Sequence, residues 1–119
     1  MVLVDTSVWV DHLRRNNRKL RELLIAGEVA CHPFVVGELA CGSLRNRRQI
    51  LGLLQAVPSL PKAEDDEVLL FIEQHSLMGR GLGLIDVHLL ASAAIAGVLL
   101  WTLDTSLERA AEDLRLSLG

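Results

Sequence analysis

The sequence has few aromatic residues and no long uninterrupted apolar run. Aromatic side chains make up 3% of the composition and apolar residues 50%, so we expect an aliphatic core. The longest apolar stretch, 89–103, contains Ser92, Gly97 and Thr102. It is shorter than the roughly 18 residues that a membrane-spanning helix needs. We therefore expect no membrane among the partners of this chain.

Cysteine is also scarce, with only Cys31 and Cys41, which do not form a CxxC pair. Two thiols make no disulfide framework, and this argues against a small disulfide-stapled secreted protein. The apolar start of the chain has no basic flank, and Asp5 interrupts it after four residues, so we expect no signal peptide. These features predict a protein of the reducing cytoplasm.

Length and hydropathy favour one domain with a single core over residues 1–119. The mean hydropathy of +0.34 is high for a monomer of this size. It indicates buried strands and leaves room for a subunit interface.

Charge is unevenly distributed, although the net charge is only −3. Residues 1–60 carry eight Lys or Arg against five Asp or Glu, whereas residues 61–119 carry four against ten. All the early basic residues fall in two clusters, which suit salt-sensitive contacts with nucleic-acid phosphates. Two solvated helix faces would give the same pattern. The clusters are Arg14, Arg15, Arg18, Lys19 and Arg21, and then Arg45, Arg47 and Arg48.

Apolar segments of strand length alternate with helical segments along the chain. Pro33 stands where a helix opens, and Thr6 or Ser7 is available to cap the first helix. Strands separated by helices pair in parallel, which predicts an α/β fold: a three-layer α/β/α sandwich with a short parallel central sheet. The predicted strands are 2–5, 29–32, 98–104 and 115–118; the predicted helices are 6–15, 16–28, 33–44, 45–57, 63–78, 84–97 and 105–114.

Two acidic residues end apolar strands in matching contexts. Asp5 ends the first strand in VLVDTS, and Asp104 ends a later one in LWTLDTS. The carboxyl ends of parallel strands meet at one edge of a sheet, where open α/β sheets bind their ligands. We expect both carboxylates at that edge.

Two further acids share helical faces with apolar residues. Asp86 lies three and four residues before Leu89 and Leu90, and Glu38 has a similar position in PFVVGELACG. A helix cap or an arginine partner would explain any one of the four acids. Four inward-facing acids in one small domain, however, repel one another unless a cation compensates them. Oxygen-only ligands suit Mg²⁺ or Mn²⁺, and the four histidines form no zinc-type set with the cysteines.

Four segments together resemble the PIN-domain ribonucleases, specifically the VapC toxins of bacterial toxin–antitoxin pairs. They are VLVDTSVWVD, the Glu in PFVVGELACG, GRGLGLIDVHLLASA and LLWTLDTSL, and they cover essentially the whole chain in the family's order. The resemblance implies a single PIN domain over residues 1–119. It also implies metal-dependent endonucleolytic cleavage of RNA, by one or two Mg²⁺ (or Mn²⁺) and an activated water that attacks the phosphodiester in line.

The resemblance also implies roles for particular residues. Thr6 and Thr102 are the implied hydrogen-bonding neighbours of the acids. Arg80, in the glycine-rich segment GRGLG, is a candidate for contacting RNA phosphate, although an ordinary glycine-rich connection is the alternative. The implied catalytic and metal-binding acids are Asp5, Glu38, Asp86 and Asp104. The other candidates for contacting RNA are Arg14, Arg15 and Arg45.

Partners follow from the same resemblance. It implies an RNA substrate, a homodimer, and a VapB-type antitoxin that occupies the active-site groove. The alternative is a catalytically silent PIN-like module that binds RNA or a partner, and a purely structural partner-binding domain is a third candidate.

Rival enzyme classes lack their own motifs. A haloacid-dehalogenase-type phosphatase needs a second Asp two residues after the first, and Ser7 occupies that position. A phosphoacceptor receiver domain needs a late lysine, but the last lysine is Lys62. GRGLGL is not GxGxxG, and no GxxxxGK is present, so nucleotide-binding loops are not indicated.

Overall fold

The computed structural model describes all residues from 1 to 119 and contains three strands and seven helices. No helix in it is both long enough and apolar enough to cross a membrane. In chain order the elements are β1 (Val2–Val4), α1 (Thr6–Arg15), α2 (Arg18–Ile25), β2 (Val29–Ala30), α3 (Pro33–Cys41), α4 (Arg47–Ala56), α5 (Asp65–His75), α6 (Leu84–Ala96), β3 (Leu99–Trp101) and α7 (Thr105–Asp113).

The sheet has the strand order β2-β1-β3, and both pairings are parallel. The central strand β1 is buried along its whole length, which explains why its sequence is continuously apolar. In the β1–β3 pair, Val4 stands opposite Trp101, so the two strands end side by side. The helices complete the predicted three-layer α/β/α sandwich with its short parallel sheet, and that prediction is confirmed.

The core is aliphatic, as the composition predicts. It consists of 24 buried apolar residues, among which Trp9 and Trp101 are the only aromatic ones. Leu3, Leu89 and Leu100 have no exposed surface, so β1, α6 and β3 share one interior.

Helix ends follow local chemistry. Pro33 is at the first position of α3, and Gly97 closes α6 in the left-handed region at φ 69°. Asn17 caps α2 by accepting a hydrogen bond from the amide of Leu20 at 3.0 Å.

The predicted caps of α1 are wrong. Neither Thr6 nor Ser7 is the N-cap, because both already lie inside α1, and Asp5 occupies the cap position. The Asp5 side chain makes no capping hydrogen bond. Its carboxylate is therefore available for other contacts.

The predicted last strand is also wrong. Arg115 adopts a positive φ of 58°, which turns the chain just after α7. Beyond it, Ser117 forms only an isolated parallel bridge with Leu100. Two backbone hydrogen bonds, from the Leu100 amide to Leu116 and from the Leu118 amide to Leu100, hold this segment against β3.

Candidate active site

The ends of β1 and β3 bring two acidic residues to the same edge of the sheet. Asp5 directly follows β1, and its amide donates a hydrogen bond to the carbonyl of Trp101 at 2.9 Å. Asp104 lies three residues after Trp101 and is the N-cap of α7. The parallel register of the two strands thus sets both acids at the carboxyl edge.

Thr102 connects these two corners. Its hydroxyl donates to Oδ2 of Asp5 at 2.7 Å and accepts a hydrogen bond from the amide of Asp104 at 3.0 Å. Thr102 is 4% exposed, so the linkage is shielded from competing water. A hydrogen bond to a charged group is among the stronger ones in proteins. Thr102 therefore fixes the carboxylate of Asp5 relative to the backbone of Asp104.

Two helices supply the other acids. Glu38 lies on α3, and its Oε1 accepts a hydrogen bond from the hydroxyl of Thr6 at 2.7 Å. Asp86 lies in the first turn of α6, where its Oδ2 accepts the amide hydrogen of Gly83 at 3.0 Å. A carboxylate in the first turn also complements the helix dipole.

The electrostatics of Asp86 show that the four acids influence one another. Burial raises the pKa of Asp86, and the negative charges of Asp5, Asp104 and Glu38 raise it further. The hydrogen bond from Gly83 acts in the opposite direction. The structure contains four ion pairs, and none of them involves any of these acids. Their mutual repulsion is therefore not compensated by a basic side chain.

The expectation of four inward-facing acids is wrong for two of them. Asp5 is buried, with 7% exposure, and Asp86 is half-buried, but Glu38 and Asp104 are exposed. The helical pattern predicts on which face of α3 Glu38 lies. It does not predict whether another part of the protein covers that residue. The acids thus form an open rim at the edge of the sheet instead of an enclosed pocket.

Each acid has one oxygen engaged within the protein and one without a hydrogen-bond partner. The engaged atoms accept from Thr102, Thr6, Gly83 and, for Asp104, from the amide of Leu107 at 2.9 Å. The free atoms are Oδ1 of Asp5, Oε2 of Glu38, Oδ1 of Asp86 and Oδ2 of Asp104.

These oxygens fit a hydrated divalent cation. No group of three or more His, Cys, Asp or Glu side chains in the structure is arranged to hold a metal ion by itself. Mg²⁺ does not require such a group, since it keeps several waters and is usually bound through one or two carboxylates. The donor set is all oxygen, as Mg²⁺ and Mn²⁺ prefer.

A groove of about 630 Å³ adjoins the acidic rim. Thr6 and Glu38 are among its lining residues, and Arg14 and Arg45 bring positive charge to it. Its walls come from α1, α3, α4 and the connection between α3 and α4.

The other two predicted basic residues are engaged elsewhere. Arg15 donates from Nε to Oδ1 of Asp11 at 2.9 Å, one turn back along α1. Arg80 pairs with Asp113 at 2.6 Å and thereby joins the glycine-rich connection before α6 to the end of α7. An RNA contact by either residue stays a prediction.

Sequence reasoning missed two contributors to the site, the amide of Gly83 and the hydroxyl of Ser7. Ser7 donates to Oδ2 of Asp5 at 2.8 Å. The sequence carries a signal for Ser7, the tripeptide Asp-Thr-Ser at both strand ends.

Comparisons with known proteins show the family to which the chain belongs. The family model described as "PIN domain" matches residues 2–113. Ribonuclease VapC32 of Mycobacterium tuberculosis is 44% identical over 120 aligned residues, covering 100% of this chain and 97% of the relative.

Two solved structures show the same fold. PAE2754 from Pyrobaculum aerophilum superposes with a TM-score of 0.67 at 19% identity, covering 97% of this chain and 93% of its own. FitAcB from Neisseria gonorrhoeae gives 0.66 at 21% identity, covering 94% of both chains. On the family match and the full-length identity, the chain belongs to the PIN-domain family as a VapC-type member.

Proposed function

We propose that this chain is an endoribonuclease, a phosphodiester hydrolase that depends on Mg²⁺ or Mn²⁺ and acts as the toxin of a type II toxin–antitoxin pair. Residues 1–119 would form its single PIN domain. The observation that carries the proposal is the acidic rim: four carboxylates, each with one free oxygen and none with a basic partner. The 44% identity to a protein named Ribonuclease VapC32 supports RNA as the substrate class.

The four acids have related roles in this proposal. Asp5, Asp86 and Asp104 would hold the metal together with its waters, and Glu38 would hold it directly or through water. A metal bound there would supply a water of lowered pKa and positive charge for the cleavage of the phosphodiester. Thr102 orients Asp5, and Thr6 orients Glu38, each by a hydrogen bond of 2.7 Å.

The groove beside Glu38 provides a path for the RNA strand. Acids alone repel a phosphate backbone, so cations must lie along the approach. Arg14 and Arg45 line the groove and are proposed to contact phosphates. Arg15 and Arg80 could join them only by leaving Asp11 and Asp113, their present partners.

The proposed partners are a VapB-type antitoxin, which covers the acidic rim, and a second copy of this chain. Exposed apolar side chains are available for such contacts, including Leu69 and Leu70 on α5 and Ile95 on α6. Cys31 and Cys41 are both free thiols, in keeping with a protein of the reducing cytoplasm.

Cleavage of an RNA pool tests the proposal. The wild type, Asp86→Ala and the control Glu73→Gln, which removes an exposed acid on α5, are compared in Mg²⁺ and in EDTA. We expect the wild type and the control to cleave in Mg²⁺ only. Asp86→Ala should lower the rate on the order of 100-fold or more, as removal of one electrostatic group from an active site does.

Two results would contradict the proposal. One is cleavage by Asp86→Ala at the wild-type rate, and the other is cleavage by the wild type that EDTA leaves unchanged. A folded wild type that binds RNA or a partner protein but never cleaves would favour the alternative, a catalytically silent PIN-like module.

A further inference from the structure

The tripeptide Asp-Thr-Ser occurs at both strand ends of the site. Asp5 is the N-cap of α1, followed by Thr6 and Ser7; Asp104 is the N-cap of α7, followed by Thr105 and Ser106. The two copies therefore occupy the same local position, and local sequence alone predicts the same hydrogen bonds for both.

The structure connects the two copies differently. At the second corner, Asp104 caps its own helix through the amide of Leu107, and the hydroxyls of Thr105 and Ser106 make no hydrogen bond. At the first corner, Asp5 makes no capping bond, and its Oδ2 accepts from the hydroxyl of Ser7 at 2.8 Å. At the second corner, Asp104 is thus an ordinary N-cap of α7. At the first corner, the carboxylate of Asp5 is held by the hydroxyl of Ser7 instead.

Ser7 also joins the first corner to the second. Its Oγ accepts a hydrogen bond from the amide of Leu103 at 2.9 Å, 96 residues away in the chain. Thr102 makes a parallel connection, from the amide of Asp104 to the same oxygen of Asp5. Two consecutive amides of the β3–α7 corner are therefore linked, each through one hydroxyl, to Oδ2 of Asp5.

This arrangement leaves Oδ1 of Asp5 for a ligand. Oδ2 already accepts two hydrogen bonds, whereas Oδ1 accepts none. Asp5 as a whole is only 7% exposed, yet Oδ1 is not among the buried polar atoms that lack a partner, so it keeps contact with solvent. A buried carboxylate held by two donors presents one defined oxygen at the surface of the site.

We infer that Ser7 is a positioning residue: its hydroxyl fixes the orientation of Asp5 and the separation of the two corners, so that Oδ1 of Asp5 is presented to the metal. This inference rests on the proposed metal site. Ser7 itself does not bind the metal, since its oxygen accepts from Leu103 and donates to Asp5. Partners that orient metal ligands typically change metal affinity by about 10–100-fold when removed.

The repeated tripeptide supplies a matched control. Ser7→Ala removes the connecting hydroxyl, whereas Ser106→Ala removes the equivalent hydroxyl at the second corner, which has no hydrogen bond. Ser7→Thr restores the hydroxyl. Magnesium binding is measured without RNA, from the rise in melting temperature on titration with Mg²⁺, and kcat and KM are measured with RNA.

We expect Ser7→Ala to weaken Mg²⁺ binding by about 10–100-fold, while Ser106→Ala matches the wild type and Ser7→Thr recovers most of the affinity. At limiting Mg²⁺, kcat should fall, and saturating Mg²⁺ should restore it while KM for RNA stays unchanged, which a defect independent of metal binding would not show. In the metal-free protein, the Leu103 amide should exchange its hydrogen faster in Ser7→Ala.

The outcomes separate this inference from the proposed function. Equal Mg²⁺ affinity for Ser7→Ala and Ser106→Ala overturns the inference, and a wild type that binds no Mg²⁺ overturns it as well. Weaker Mg²⁺ binding by Ser7→Ala in a protein that never cleaves RNA would support the inference and contradict the proposed function.

Discussion

Asp86 combines two opposing electrostatic effects in one side chain. Its Oδ2 accepts the amide hydrogen of Gly83 and so stabilises the start of α6. Burial and three neighbouring carboxylates nevertheless raise its pKa, which means that the charged form is disfavoured in the folded protein. Without a cation, the ionised Asp86 therefore lowers the free energy of unfolding.

Replacement of Asp86 by Asn should stabilise the metal-free protein. The amide oxygen of Asn can still accept from Gly83, while the repulsion disappears. We expect the melting temperature in EDTA to rise by about 4 °C, the shift that roughly 1 kcal/mol causes in a domain of this size. Addition of Mg²⁺ should raise the melting temperature of the wild type but have little effect on the variant.

Asp66→Asn is the control for this measurement, because Asp66 lies in the first turn of α5 and is exposed. Its melting temperature should stay equal to that of the wild type or fall slightly, as a favourable charge near the helix dipole is lost. A lower melting temperature for Asp86→Asn in EDTA would contradict the repulsion argument.

The sequence predicts the role of a single residue only where the contacts of that residue are local in the chain. The apolar strands interrupted by Asp5 and Asp104 were visible in the sequence, since a strand followed by an acid is a local pattern. Ser7 and Ser106 both follow Asp-Thr but have different hydrogen bonds, because only Ser7 meets a segment 96 residues away. Sequence alone could not distinguish them.

Helices α3 and α6, which carry Glu38 and Asp86, are joined inside the protein by a buried histidine. His32 is the N-cap of α3, and its Nδ1 accepts the amide hydrogen of Phe34 at 3.0 Å. Nε2 must therefore carry the proton and donates it to Ser92 of α6 at 3.1 Å. This network requires a neutral imidazole.

Protonation of His32 should destabilise the fold. Burial is the main cause, and the charges of His88 and Lys62 contribute, so that the pKa of His32 is lowered from 6.5 to about 4. Between these two values the unfolded chain binds a proton that the folded protein does not, so stability falls as the pH is lowered from 6.5 towards 4. The lost free energy of unfolding amounts to about 3 kcal/mol for this group.

Urea unfolding between pH 7 and pH 4.5 measures this effect. We expect His32→Asn, which keeps a capping side chain, to have a shallower dependence on pH than the wild type. His75→Asn, which changes an exposed histidine, should keep the wild-type dependence. Identical slopes for wild type and His32→Asn, or titration of the His32 ring near pH 6.5 in the folded protein by NMR, would contradict the account.

The local sequence pattern predicted most of the helices and strands, but not where each of them ends. Alternating apolar strands and amphipathic helices, with Pro33 at a helix start, predicted α1–α7 and β1–β3 in order. Residues 115–118 were predicted as a strand, but the left-handed turn at Arg115 leaves them only an isolated bridge. Pairing partners of short edge segments depend on tertiary packing, which a local pattern does not contain.

The basic and acidic residues of the site lie in different places in the fold. The groove with Arg14 and Arg45 is built entirely from the first 50 residues, which belong to the basic half of the sequence. Asp5 and Asp104 come from different halves of the chain and meet because β1 and β3 are neighbours in the sheet. A net charge of −3 is therefore compatible with an RNA substrate, because the positive charge lies where the strand would approach.

The most direct test of the central claim is a crystal structure with Mn²⁺ bound, in which anomalous scattering locates the ion. The account predicts an ion at the carboxyl edge of the sheet, about 2.1 Å from at least one of the four free carboxylate oxygens, with waters completing its coordination. Asp5 Oδ1 should be within reach of that ion directly or through one water. Absence of Mn²⁺ from the rim at saturating concentration, or its binding only elsewhere, would contradict the claim that the acidic rim binds a divalent metal.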